Sequence, residues 1–270
     1  MFENVIALFG MPRSGTTIIS RLIANHSRVQ AIIEPYQSRR STDYNEGDPL
    51  RLARDFGLQQ REKSSLLVKE TLTRKENIEL VQQLLETASR ADMRGAYIFV
   101  LRSPLEALLS QIEASKTFWA KPTKFDETDA SIRSFWKGFC RSMECYLTFA
   151  FRFHRRFVVY DRFTMFPREE IGRAMTLFGY PLEQTQMDLS TAQPKFGGDP
   201  KARGAIPEIV PADAHARADE VTRICKKFAT VTELSPMLSM HEYIKKLAVE
   251  QPPCSTIITD LALMARRGSV

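Results

Sequence analysis

The chain is poor in the residues that build metal centres and covalent staples: it has four histidines and four cysteines. No histidine falls in H-x-x-E or H-E-x-x-H spacing. Cys140, Cys145, Cys225 and Cys254 form neither C-x-x-C nor a paired-ligand pattern. No metal site is therefore expected, and the thiols read as reduced and structural. No apolar stretch approaches the roughly 18 residues of a membrane span. Val5–Phe9 is too short for a signal-peptide core and follows Glu3 rather than a basic segment, so the expected compartment is the cytoplasm. No block of like charge and no basic stripe interleaved with aromatics is present, which argues against nucleic acid as a partner. Internal repeats and low-complexity segments are absent as well.

What remains is an ordinary globular composition, 43% hydrophobic and 26% charged over 270 residues, which fits one large domain with a substantial core. The 38 Lys plus Arg against 32 Asp plus Glu give +6, an excess that suggests an anionic ligand without naming it. Short apolar runs alternate with segments of helical periodicity. Val5–Gly10 reads as a strand buried on both faces, and Thr16–Asn25 as a helix with Ile18, Ile19, Leu22 and Ile23 on one side. Val29–Ile33, Ser65–Val68, Ala96–Leu101 and Phe157–Tyr160 are further strands. Asn77–Ala91, Asp129–Arg152 and Arg168–Phe178 are helices, and Arg39–Gly57 reads as a polar loop. Ser103, Pro104 and Glu106 supply an N-cap, a first-turn proline and a capping-box acid for another helix. The alternation predicts an α/β fold with a doubly wound parallel sheet and helical elaborations.

Glycine is sparse, twelve in all, so Gly10 and Gly15 around Pro12-Arg13-Ser14 are informative. A loop between a strand and a helix N-terminus aims backbone N–H groups, and the positive end of the helix dipole, at a phosphate. The Thr16 and Thr17 hydroxyls can donate to the same oxygens. The Gly10-x4-Gly15 spacing is that of a P-loop, but Thr16 stands where a Walker loop has lysine, and the cation is Arg13 within the loop. That substitution weakens a reading as a magnesium-dependent kinase. Arg102 closes the strand Ala96–Leu101, and Ser110 lies eight residues on; a forked guanidinium suits a dianionic phosphate.

These two elements, in this order, resemble the sulfotransferases that use 3′-phosphoadenylyl sulfate (PAPS). Gly10-Met11-Pro12-Arg13-Ser14-Gly15-Thr16-Thr17 is similar to their 5′-phosphosulfate loop, and Arg102 with Ser110 to their 3′-phosphate pair. Val158-Val159-Tyr160-Asp161-Arg162-Phe163 is similar to the family's strand ending in Tyr-Glu-Asp-Leu, which makes Tyr160 the adenine candidate. Gly197–Gly204 is similar to the Gly-x-Pro-x-Arg lid of carbohydrate-acting members, with Lys201 and Arg203 as candidate contacts to the cofactor phosphates. The Arg-Lys-Gly and Gly-Asp-Trp lid of the cytosolic small-molecule branch is missing. So is that branch's histidine base in Lys-Thr-His, where this chain reads Lys69-Glu70-Thr71.

The resemblance covers residues 4–204 and implies a single domain over 1–270, with 205–270 as a C-terminal helical extension. It implies PAPS as co-substrate, no metal, and an acceptor hydroxyl, with a sugar or glycolipid as first choice. Glu34, just past the second strand, takes the place of the glutamate base of carbohydrate-type members, with Glu70 in reserve. Lys69 is a candidate to stabilise the transferring sulfonate. His26 reads as a structural residue at a helix end. Phe118, Trp119 and Phe125 are candidates to stack on an acceptor ring, Trp136 rather for the core. The C-terminal helices are candidates for a homodimer contact or for a cover over the acceptor cleft. A P-loop kinase and a non-catalytic nucleotide-binding protein remain the competing readings.

Overall fold

A computed structural model of the 270-residue chain describes residues 2–36, 47–58, 65–71, 75–117, 128–149, 153–190, 205–206, 209, 218–223, 226 and 235–268. Five strands form one sheet: β1 (Asn4–Gly10), β2 (Val29–Ile33), β3 (Ser65–Thr71), β4 (Arg94–Leu101) and β5 (His154–Val159). Their order is β2-β3-β1-β4-β5, and every adjacent pair is parallel. β1 is central because Val5 to Phe9 bury both faces completely. Each such side chain contributes roughly 1.5–3 kcal/mol on leaving water.

Helices cover both faces. On one, Ile6 and Leu8 of β1 and Ile98 and Val100 of β4 pack with Ile19, Leu22 and Ile23 of α1 (Thr16–Ala24). That layer also holds Phe163 from α6 (Tyr160–Met165) and Ile171 from α7 (Pro167–Met175). On the other, Val5, Phe9, Tyr97 and Phe99 meet α3 (Lys75–Arg90), α4 (Pro104–Thr117) and α5 (Asp129–Phe149). Trp136 and Phe139, one turn apart on α5, stack with centroids 5.6 Å apart inside this layer, so Trp136 belongs to the core.

Three readings need correcting. The polar stretch 39–57 contains a helix, α2 (Pro49–Asp55), started by Asp48, whose carboxylate accepts from Leu50 N–H at 2.9 Å and Arg51 N–H at 3.4 Å. β3 continues through Lys69, Glu70 and Thr71, because each of these polar side chains finds a partner in the interior. Tyr160 opens α6 instead of ending β5. Beyond 204, α8 (Ser235–Val249) is followed by α9 (Cys254–Gly268), which the prolines Pro252 and Pro253 precede. α9 buries Ile257, Ile258, Leu261 and Ala265.

Candidate active site

The strand order places the loops after β1 and β4 side by side at the carboxyl end of the sheet, where ligands of open α/β sheets bind. β1 runs out at Gly10, and a tight turn follows in which Ser14 N–H donates to Met11 O at 3.1 Å. Arg13 has φ 68° and Gly15 has φ 90°, both in the left-handed region. Gly15 is held to glycine twice over, since a Cβ there would lie 2.1 Å from Cε2 of Tyr160. Gly10 is equally confined: a Cβ would come within 2.5 Å of Ser14 Oγ and 2.8 Å of Val100 O.

Gly15 caps α1 without a side chain, and no acid stands in the first turn of that helix. Its leading N–H groups and positive dipole end are therefore unopposed by a local carboxylate. Ser14 Oγ is buried and has no hydrogen-bond partner among the described residues. A buried hydroxyl beside leading helix N–H groups suits an anionic oxygen, so the residues present fit a phosphate-bearing ligand.

Arg102 and Ser110 close on this loop. Arg102 Nη1 donates to Arg13 O at 2.7 Å, and Arg13 Nε donates to Ser110 Oγ at 3.1 Å. Gln111, which no motif singled out, donates from Nε2 to Pro12 O at 3.2 Å. The Arg102 guanidinium lies 4.7 Å over the Tyr160 ring, and its Nη2 is 3.7 Å from Glu106 Oε2. Pro12, Arg13, Ser14, Gly15, Arg102, Ser110 and Tyr160 thus meet at one rim, with Thr16 and Thr17 leading the helix behind them. Lys201 and Arg203 lie outside the described residues, as do Phe118, Trp119 and Phe125.

A second group sits at the ends of β2 and β3. Ile33 pairs with Lys69, and the next residue, Glu34, turns to φ 53° while its N–H donates to Lys69 O at 2.7 Å. Lys69 Nζ donates to Glu34 Oε1 and, at 2.9 Å, to Thr71 Oγ1. The Thr71 hydroxyl donates in turn to Glu34 Oε1 at 2.7 Å. Lys69 is buried, whereas the Glu34 side chain keeps 27% of its surface open. Thr71 was missed, although its two-residue offset from Lys69 puts both on one face of a strand.

Glu70 points to the other face and is fully buried. It accepts from Tyr36 N–H at 2.9 Å and Thr71 N–H at 3.3 Å. Burial pushes its pKa up to about 8, against the pull of the Tyr36 N–H, and the Glu34 charge adds to the rise. Of the two carboxylates, Glu34 alone has a side chain open at the rim. His26 lies elsewhere: its Nδ1 accepts from Arg28 N–H at 3.0 Å, and its ring stacks on Tyr180 at 5.1 Å. Among the described residues no group of His, Cys, Asp and Glu is arranged to hold a metal ion, and no helix is long and apolar enough to cross a membrane.

The architecture has counterparts among solved structures, and these are sulfotransferases. The chain is similar to the sulfotransferase domain of the Synechococcus PCC 7002 olefin synthase, with a TM-score of 0.54 at 15% identity, over 93% of this chain and 97% of that one. It is also similar to mouse sulfotransferase SULT7A1 complexed with PAP, with a TM-score of 0.52 at 13% identity, over 91% and 90% of the two chains. The chain has the sulfotransferase fold, an α/β architecture on a five-stranded all-parallel sheet with a P-loop-like turn. No protein-family model matches the sequence, and no curated protein matches it.

Proposed function

We propose that the chain is a PAPS-dependent sulfotransferase that moves a sulfonate group to an acceptor hydroxyl. The observation that carries this reading is the interlocking of two anion-binding loops through Arg102 Nη1 on Arg13 O and Arg13 Nε on Ser110 Oγ. Ser14, Gly15, Thr16 and Thr17 would receive the 5′-phosphosulfate, Arg102 and Ser110 the 3′-phosphate, and Tyr160 the adenine. Lys201 and Arg203 would close over the phosphates. PAPS supplies a sulfonate on a good leaving group, so no metal is needed. The acceptor oxygen forms a bond to sulfur, its proton passes to Glu34, and the bridging S–O bond breaks with its electron pair left on the bisphosphate. Arg13 and the loop N–H groups stabilise that leaving charge. Lys69 and Thr71 hold the Glu34 carboxylate in place, and Lys69 would meet developing charge on the sulfonate.

A sugar or glycolipid hydroxyl is the acceptor class we favour. The support is a carboxylate base at Glu34 in place of histidine and the Gly197–Gly204 segment with Pro200. Action in the cytoplasm and assembly as a homodimer belong to the same reading.

Calorimetric titration of adenosine 3′,5′-bisphosphate against ATP, each with and without Mg²⁺, tests it. The bisphosphate should bind without metal and at least about tenfold more tightly than ATP, a difference of ~1.4 kcal/mol. Tighter binding of ATP with Mg²⁺ would instead favour the kinase reading. Bisphosphate binding with no transfer to sugar, lipid or phenol hydroxyls would leave a nucleotide-binding protein.

A further inference from the structure

Helix α8 carries none of the motifs, yet it reaches the rim on which Arg102 stands. His241 and Lys245 are four residues apart and share one face of it. His241 Nδ1 meets Ser103 Oγ at the start of α4. Burial, followed by the nearby Lys245 charge, holds the His241 pKa below its ordinary value, so the imidazole fastens the helix without adding charge.

Lys245 does bring charge. Its Nζ donates to Asp161 Oδ1 at 2.8 Å and lies 3.9 Å from Glu106 Oε1. The other oxygen of Glu106 is 3.7 Å from Arg102 Nη2. A single carboxylate thus stands between two cations. The second oxygen of Asp161 is buried and has no hydrogen-bond partner among the described residues. Arg102 and Lys245 together balance Glu106 and Asp161, giving a cluster of zero net charge. Without Lys245 the same cluster is net negative, beside the cation that an incoming phosphate must reach.

We propose that Lys245 is a positioning residue of the anion site: it neutralises Glu106 and Asp161, so that Arg102 keeps its attraction for a phosphate dianion. This rests on the nucleotide reading above. It assigns α8 a part in ligand affinity and not only in covering the core. The side chain of Lys245 is 35% exposed, so methionine fits in its place.

The test is calorimetric titration of adenosine 3′,5′-bisphosphate into five chains: wild type, Lys245→Met, Lys245→Arg, and Lys245→Met combined with either Glu106→Gln or Asp161→Asn. Lys245→Met should bind about tenfold more weakly, the scale of one uncompensated charge at a partly screened site. The double variant with Glu106→Gln, whose cluster is again neutral, should return to within about threefold of wild type, as should Lys245→Arg. Combining Lys245→Met with Asp161→Asn restores neutrality by a second route and should recover affinity likewise. A structural role for Lys245 would leave both double variants as weak as the single one, and that result overturns the inference. So does wild-type affinity in Lys245→Met. Absence of bisphosphate binding by wild type would overturn the nucleotide reading, and this inference with it.

Discussion

Arg102, at the end of β4, donates to the main-chain carbonyl of Arg13 at 2.7 Å, so the cation of one loop sets the shape of the other. The bond pins a residue whose φ of 68° is costly for a side chain of this size. Arg102→Lys keeps the charge but loses the fork that allows a carbonyl bond, a stack on Tyr160 and the proposed phosphate contact together. Affinity for adenosine 3′,5′-bisphosphate should fall about tenfold to a hundredfold, or ~1.4–2.8 kcal/mol, by calorimetry.

Gly15→Ala should damage both loop and fold. The left-handed backbone costs roughly 1–2 kcal/mol for alanine. The overlap with Tyr160 Cε2 adds an overpacking penalty of about 1–3 kcal/mol. Urea denaturation should register the sum. In a Tyr160→Ala background the overlap is gone, and the glycine substitution should then cost only the backbone part.

Glu34→Gln removes the carboxylate proposed as proton acceptor and keeps its shape. Turnover of PAPS with any accepted hydroxyl should drop by at least about a hundredfold, while bisphosphate affinity changes little. A steady-state assay reading kcat beside the binding constant separates the two effects. Full turnover in this variant would remove Glu34 from the proton transfer.

Glu70 has a pH signature of a definite sign. Its folded pKa, about 8, lies above the ordinary carboxylate value, so between those values the folded chain holds a proton that the unfolded chain has released. The stabilising contribution of this group is complete below the ordinary value and is lost as pH rises through about 8. Glu70→Gln cannot ionise, so its stability relative to wild type should rise from pH 5 to pH 8, by on the order of a few kcal/mol at most. Equal pH profiles in thermal unfolding would show that the carboxyl ionises freely in the interior.

The parts of this molecule that could be read in advance are those whose signal is local. Val5–Phe9 and the Ile19, Leu22 and Ile23 set carry their periods within a few residues, and Gly10 and Gly15 mark the turn between them. Arg102 and Ser110 sit on one strand end and the helix after it, so their spacing was enough. Lys69 and Glu70 fell outside the strand read over Ser65–Val68 because strands disfavour such residues. Their places in β3 depend on Glu34 and on Tyr36 N–H, thirty-four or more residues away. α2 was hidden by a polar neighbourhood in which Asp48 and Pro49 were its only marks. Lys245 had no local mark at all, since its partners lie on other elements.

The contact between Lys245 and Asp161 spans 84 positions, and this sets an order of events during synthesis. A ribosome releases every strand of the sheet, and both loops that meet at its rim, before it has made α8. For that interval Glu106 and Asp161 have no ammonium group opposite them, so on the reading proposed for Lys245 the nascent rim holds an anion less tightly than the finished one. Full affinity for the proposed nucleotide would then arrive only once α8 has docked.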